Sequence, residues 1–305
     1  MSNFLKKIPM PIVGVMLAFA TLGNLVQSYG EIYRTILGTI SALLFVVVTI
    51  KFASNFKGLL DDLNTPVGAS VFPTYSMCIM LLATYIKPIH SGMAYIVWLL
   101  GILLHVLLMV RFTMQYVMKF NIKQVLPSWF IVYVGIAVAS VTGKAFQPLI
   151  GQIAFGFALI SYLVLLLIVG KRIFIIKEIP EPALPTLVIM SAPGSLCLAG
   201  YLNAFDTKNM GLFWFLLVVS QLLYLFAVIK LVNLLKLKFY PSYSGFTFPM
   251  AISALALKLS NGFFMKQGHS TGLLPFLVKA EVMIAILITF YVLFRYIHSI
   301  MKAKA

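Results

Sequence analysis

Followed along its hydrophobic and polar positions, the chain is a succession of near-continuous apolar runs separated by short polar breaks. The runs predict helical spans at approximately 9–29, 33–54, 67–87, 92–116, 127–146, 149–170, 184–203, 211–235, 243–263 and 275–299. Each run is about as long as a helix needs to cross a bilayer, roughly twenty residues. A barrel strand would alternate apolar and polar residues over about ten positions, and these runs do not alternate. Hydrocarbon offers the backbone no hydrogen-bond partners, so each span must satisfy its own peptide groups as a helix. The expected fold is an all-α integral membrane protein with ten transmembrane helices. No break is long enough for a second domain, so residues 1–305 read as one transmembrane domain.

Odd and even spans differ in character. Even spans are bulky and uninterrupted, as in Leu43–Ile50, Leu99–Val110, Leu163–Val169 and Leu216–Ile229. Odd spans carry proline in or beside the run, at Pro11, Pro73, Pro127, Pro185 with Pro193, and Pro249, and are rich in Gly, Ala, Ser and Thr. Successive first prolines stand 62, 54, 58 and 64 residues apart, which makes a helical hairpin the repeating unit, used five times. Proline removes a backbone donor and bends a helix, and a membrane tolerates this where neighbouring groups or water meet the freed carbonyl. The pattern therefore predicts five kinked, small-residue helices around a central pore, enclosed by five bulky ones. Small residues also serve plain helix contacts, but here all five odd spans share the bias. Candidate pore-lining positions are Gly14, Ser76, Gly135, Ser140, Pro193, Ser195, Pro249 and Ser253.

Composition agrees, with 62% hydrophobic and 10% charged residues, a balance that no soluble core of 305 residues can hide. A net charge of +16 raises the question of nucleic acid. The distribution of that charge answers it. With ten spans, sixteen of the 23 basic residues fall on one face, from Lys6 and Lys7 to Lys302 and Lys304. Five fall on the other, Arg34, Lys87, Lys144, Lys208 and Lys266, while Lys258 and Lys279 lie inside spans. This is the sorting of the positive-inside rule, so the rich face and both termini are expected in the cytoplasm, and nucleic-acid binding is not. Lys6, Lys7 and Ala18-Phe19-Ala20 have the look of a cleavable leader, yet Pro11 interrupts its apolar core and removal would spoil the sorting.

No cofactor or metal is expected. Cys78 and Cys197 lie in apolar runs with no CxxC or His/Cys spacing. Intramembrane catalysis needs a nucleophile with its base, paired acids or metal ligands, and no HExxH, GxSxG or aspartate pair occurs. The chain is not read as an enzyme.

The segments Thr65-Pro66-Val67-Gly68-Ala69-Ser70-Val71-Phe72-Pro73, Pro127-Ser128-Trp129-Phe130-Ile131, Ala192-Pro193-Gly194-Ser195-Leu196 and Phe246-Thr247-Phe248-Pro249 occur in this order. Together they resemble the tellurite-resistance/dicarboxylate transporter family, which includes TehA-like bacterial members, fungal malate permeases, sulfite efflux pumps and plant slow anion channels. The resemblance implies five helical hairpins around a pore, a homotrimer with one pore per subunit in a bacterial inner membrane, and transport of small anions. It also implies that a phenylalanine of the ninth helix shuts the pore, and the matching residue is Phe248. An aromatic plug in a narrow passage excludes water and makes ion passage costly.

Few ionisable groups lie within the spans. Lys258 stands ten residues beyond Phe248, about 15 Å along a helix and about 80° away around it, where it would attract anions in a vestibule or snorkel to the interface. Lys279 and Glu281 are expected near the interface in the first turns of the last span, and His105 reads as a packed residue. The central turns of the odd spans hold no carboxylate, which favours a channel or facilitator over a carrier with a charged binding site. The alternative is proton-coupled export of malate or sulfite, with Lys279, Glu281 or His105 titrating.

Overall fold

The structure, a computed structural model, describes residues 3–302; Lys304, one of the basic residues of the rich face, lies outside them. The apolar runs form helices α1 (Met10–Tyr29), α2 (Glu31–Ser54), α3 (Pro66–Ile86), α4 (Ser91–Val117), α5 (Trp129–Gly143), α6 (Pro148–Ile176), α7 (Glu181–Ala204), α8 (Met210–Leu234), α9 (Pro241–Lys266) and α10 (Leu274–Lys302). Among the described residues nine of these are long and apolar enough to cross a membrane, and no strand occurs. The chain is an all-α, multi-pass membrane protein. The exception is α5, which the apolar run 127–146 predicts at full length. Its helix starts only after the turn at Pro127–Ser128 and ends at Gly143, leaving 15 residues.

Local sequence sets the helix ends. Thr65 and Asn209 each accept a backbone N–H at 3.0 Å, from Gly68 and Leu212, and so cap α3 and α8. The ring nitrogen Nδ1 of His90 does the same for Met93 at the start of α4. Proline opens α3, α6 and, one residue in, α7 and α1, where its missing N–H would have had no partner. Between α2 and α3 a short helix, Phe56–Leu63, capped by Asn55, buries Leu59 and Leu63 and leaves Lys57 and Asp61 exposed at the lysine-rich end.

Each odd helix packs against the even helix that follows it. The odd helices also pack on one another in sequence, α1 on α3, α3 on α5, α5 on α7, α7 on α9 and α9 back on α1. They thus close into a five-membered ring. Over its most apolar 18 residues each of α1, α3, α7 and α9 is 56–94% buried, against 22–39% for the even helices. Only Ile131, Tyr133 and Val141 of α5 escape full burial. Leu103, Leu107, Ile160, Leu167, Leu222 and Phe294 stand exposed on the even helices, the apolar surface that lipid covers.

Small residues and hydroxyls make the ring seams. A Cβ at Gly200 of α7 would come within 2.8 Å of Ser140 Cβ on α5, and one at Gly14 of α1 within 3.0 Å of Ser244 Cβ on α9. Backbones approach this closely only where one partner has no side chain. Across helices, Thr247 Oγ1 donates to the Gly14 carbonyl at 3.1 Å, Ser41 Oγ to the Met16 carbonyl at 2.8 Å, and Tyr85 OH to the Ala20 carbonyl at 2.6 Å.

Candidate functional site

The odd helices are irregular at one common level. Residues Met10–Ile12 of α1 are a 3-10 turn before the α-helix Val13–Val26, and α3 is divided at Phe72 by Pro73. In α5 the 3-10 turn is Gly135–Ala137; in α7 it runs from Glu181 to Ser191, and in α9 from Pro241 to Phe246. The eleven residues of 3-10 helix in α7 are unusual, since such runs rarely exceed three or four. Pro182 and Pro185 sit inside it and withhold the donors that a regular α-helix would use.

At this level the ring encloses a chamber of about 50 Å³, and every residue of its wall comes from an odd helix. Pro11, Gly14 and Leu17 face it from α1; Val67, Val71, Thr74 and Met77 from α3; Phe130, Val134 and Gly135 from α5. Ile189, Pro193 and Leu196 of α7 and Gly245, Phe248 and Pro249 of α9 complete it. A neck of about 10 Å³ adjoins it, sharing Leu196 and Phe248 with the chamber, and is walled further on by Thr21, Asn24, Leu81, Val138, Ile252 and Leu255. A water needs roughly 10–15 Å³ of such space, so the neck is too tight for a water column. Asn24 and Leu255 then border a wide basin of about 800 Å³ at the C-terminal ends of the odd helices.

Chamber, neck and basin share one geometric cause. On α9 one stripe of the residues that face them, Gly245, Phe248, Ile252, Leu255, Leu259, Gly262 and Lys266, recurs every three or four positions. On α1 the same stripe runs through Pro11, Gly14, Leu17, Thr21, Asn24 and Ser28. A single helical face lies along one axis from end to end. From Pro11 to Leu255 the two stripes carry no charged side chain.

The basin is charged. Lys144, Lys208, Lys258 and Lys266 line it, against Glu31 and Asp206. Lys258 Nζ donates to the Leu25 carbonyl at 2.5 Å and to Ser28 Oγ at 2.6 Å and lies 4.7 Å from the centre of the Tyr29 ring, so α1 holds it at the basin wall. Lys144 meets Asp206 at 3.9 Å with both side chains exposed. Lys208, in the loop after α7, donates to the Phe205 carbonyl, and burial lowers its pKa below the ordinary lysine value, with nearby Asp206 opposing and Lys144 adding to the shift. Arg34 holds Asn24 in place, its Nε 3.1 Å from Asn24 Oδ1, while its Nη2 reaches the Thr84 carbonyl at 3.0 Å.

The sequence candidates divide into two groups. Phe248, Gly14, Gly135, Pro193 and Pro249 stand on the chamber wall, and Lys258 on the basin wall. Ser76, Ser140, Ser195 and Ser253 are fully buried and turn to neighbouring helices instead. Ser140 Oγ donates to the Gly151 carbonyl of α6 at 2.7 Å, Ser195 and Ser253 pair across α7 and α9 at 3.0 Å, and Ser76 meets His105 Nδ1 of α4 at 2.8 Å. Two residues around a helix from Thr74 is about 200°, so Ser76 points away when Thr74 points in. The other ring nitrogen of His105 is 3.1 Å from the Val132 carbonyl, which makes His105 a packed, fully engaged residue. Lys279 is exposed. Glu281, in the first turns of α10, is buried in the protein, with Oε2 unpaired among Gln221 and Tyr224 of α8, whose Nε2 and OH also lack partners. Sequence reasoning missed Asn24 and Thr74; the signal for both was the helical spacing that joins them to Gly14 and Val71.

The sequence profile of one protein family, SLAC1, described as voltage-dependent anion channel, matches residues 7–297. Among curated proteins none matches significantly.

Proposed function

Since the chain belongs to the SLAC1 family of voltage-dependent anion channels, we propose that it carries small anions down their gradient along the axis of the odd-helix ring, and that Phe248 closes this path. One observation carries the reading: the lining stripes are continuous from chamber to basin, and the narrow point between them is where Phe248 stands. Gly14, Gly135, Pro193 and Pro249 line the path, and the small volume of glycine and the fixed turns of proline keep it open beneath the plug. An apolar ring in a space too small for water leaves an ion nothing to exchange its hydration shell for, which is a dewetted gate. Pro249 follows directly, has no N–H for the Gly245 carbonyl, and so loosens the turn that bears the ring.

The stripes offer no charge at their centre, so an anion meets no deep well and leaves as readily as it arrives. This favours facilitated flow over a pump. Lys258, with Lys144, Lys208 and Lys266, raises the local anion concentration at the basin by its field. The lysine-rich end belongs on the cytoplasmic side of a bacterial inner membrane with both termini there, so the basin faces outward. Helix α5, though short, reaches from the chamber at Phe130 to the basin at Lys144, and is best read as the tenth span. By family resemblance the assembly is a homotrimer with one path per subunit.

A second reading, proton-coupled export of dicarboxylates or sulfite, is favoured by buried Glu281, since an ionisable group kept at membrane depth asks for a use. Currents across a planar bilayer decide between them. Reversal potentials that follow the anion gradient alone support the channel, and ones displaced by a pH gradient, with the displacement lost in Glu281→Gln, support coupling. Absence of any anion current in the wild type and in Phe248→Ala alike contradicts the channel, and absence of anion flux under a pH gradient as well contradicts both.

A further inference from the structure

A groove of about 620 Å³ opens on the outer surface of the bundle between α2 and the pair α3 and α4. Helix α2 packs along α1, and α3 along α4, but α2 and α3 meet at few places, so the two hairpins part there. Gly38, Ala42 and Val46 of α2 and Ile79, Leu82 and Ile86 of α3 line it. Charge is confined to one end, where Glu31 and Arg34 stand on the wall. That end, at the start of α2 and the close of α3, is opposite the lysine-rich one.

Arg34 is built into the wall. Its Cζ lies 4.4 Å from the centre of the Tyr85 ring, and its Nε and Nη2 are held by Asn24 and by the Thr84 carbonyl. Tyr85 in turn sits so close on α2 that Gly38 has no room for a side chain. Nη1 is left 3.9 Å from Glu31 Oε2, beyond hydrogen-bond length, and the two side chains are 15% and 69% exposed, so both remain within reach of a ligand. Glu31 Oε1 accepts from Gln27 Nε2 at 2.6 Å, which leaves Oε2 for another donor. Lys87, nearby at the end of α3, turns instead to the Ala145 carbonyl after α5.

The length of the groove identifies its occupant. From Arg34 to Val46 a helix rises about 18 Å, close to the roughly 15 Å of hydrocarbon in one leaflet. A partner helix would call for a track across the full core of about 30 Å. An apolar wall with nothing against it forfeits its dispersion contacts, so an acyl chain fills the space, and the charged end selects the headgroup. A fixed guanidinium suits a phosphate, and an acidic oxygen beside it suits an ammonium that has N–H groups to donate.

We propose that the groove holds one phosphatidylethanolamine-type lipid, with its phosphate on Arg34, its primary ammonium on Glu31 and one acyl chain along Gly38 and Ala42. Phosphatidylglycerol brings a phosphate but no cation for Glu31, and phosphatidylcholine brings a cation without an N–H. The site lies off the axis of the odd-helix ring and does not depend on what passes along it.

The test is native mass spectrometry of the full chain, equilibrated in detergent with equal amounts of the three phospholipids and of diacylglycerol, all with the same acyl chains. The wild type keeps one lipid per chain, phosphatidylethanolamine exceeding each of the other phospholipids by roughly two- to fivefold, the range of an exposed charge pair, and diacylglycerol is not kept. Glu31→Gln, at an exposed position, abolishes the preference over phosphatidylglycerol while a lipid is still kept. Ala42→Phe, also exposed, fills the groove and removes the kept lipid whatever its headgroup. Thermal transitions verify that both variants fold. Equal retention of the three phospholipids, or lipid kept by Ala42→Phe as by the wild type, overturns the proposal. An oligomer that dissociates in Ala42→Phe while its lipid count is unchanged assigns the groove to a second copy of the chain and overturns it as well.

Discussion

Phe248 on α9 and Leu196 on α7 border the chamber and the neck alike, so two apolar side chains from adjacent ring helices meet the axis at the same level. The proposed closure is thus shared between an aromatic ring and a branched aliphatic chain. Both stand near the start of an α-helix, Phe248 one residue before Pro249, in the turn whose backbone bond that proline removes, and Leu196 three residues past Pro193. In the proposed gate the movable part of the plug is Phe248 and Leu196 is its stop.

This division predicts unequal leaks. Leu196→Ala widens the neck without freeing the phenylalanine, so anion flux rises by a few-fold, on the order of what about 1 kcal/mol off a barrier produces. The double variant with Phe248→Ala exceeds either alone. Flux in Leu196→Ala proteoliposomes equal to that of Phe248→Ala would show that the two are not ranked in this way.

Ring closure depends on contacts too tight for a side chain. Gly200→Val places a Cβ within 2.8 Å of Ser140 Cβ and lowers stability by about 1–3 kcal/mol, read as a fall in thermal midpoint in detergent. Gly156, on α6 with nothing within 4 Å of an added Cβ, is the control. Gly156→Ala leaves the midpoint unchanged or raises it.

The buried serines of the odd helices serve stability. Ser140→Ala removes the hydrogen bond to the Gly151 carbonyl and costs about 0.5–1.5 kcal/mol. Anion selectivity through a Phe248→Ala pore stays as it was, because Ser140 lies off the chamber wall. A changed permeability ratio in Ser140→Ala would place that side chain in the path.

Much of this architecture is readable in the chain because the membrane imposes it. Proline and glycine on alternate runs foretell which helices turn inward, whereas Phe248 is picked out among the phenylalanines only by the family resemblance of the Phe-Thr-Phe-Pro run. The serines show where that reading stops. Ser76, Ser140, Ser195 and Ser253 have the right size and the right helices, but hydrocarbon drives each hydroxyl to the nearest carbonyl, ring nitrogen or fellow hydroxyl, and those partners lie between helices. The burial of Glu281 is illegible for a similar reason, as its surroundings come from Gln221 and Tyr224 on another helix.

Lys208 gives the basin a pH dependence of known sign. Its pKa lies below the ordinary lysine value because burial disfavours the charged form, so as pH rises it loses its proton before a freely solvated lysine would. Inward anion current through Phe248→Ala then declines on the alkaline side at a lower pH than in Lys208→Ala, where that step is absent. The size is roughly two- to fivefold at low salt and shrinks as ionic strength increases.

The measurement that bears most directly on the account is chloride efflux from proteoliposomes carrying wild-type protein or Phe248→Ala, with folding of both verified by their thermal transitions. The account predicts slow wild-type efflux and a rise on the order of tenfold or more when the ring is removed, because the dry neck becomes wide enough for water. A folded Phe248→Ala protein with efflux no faster than wild type would contradict it.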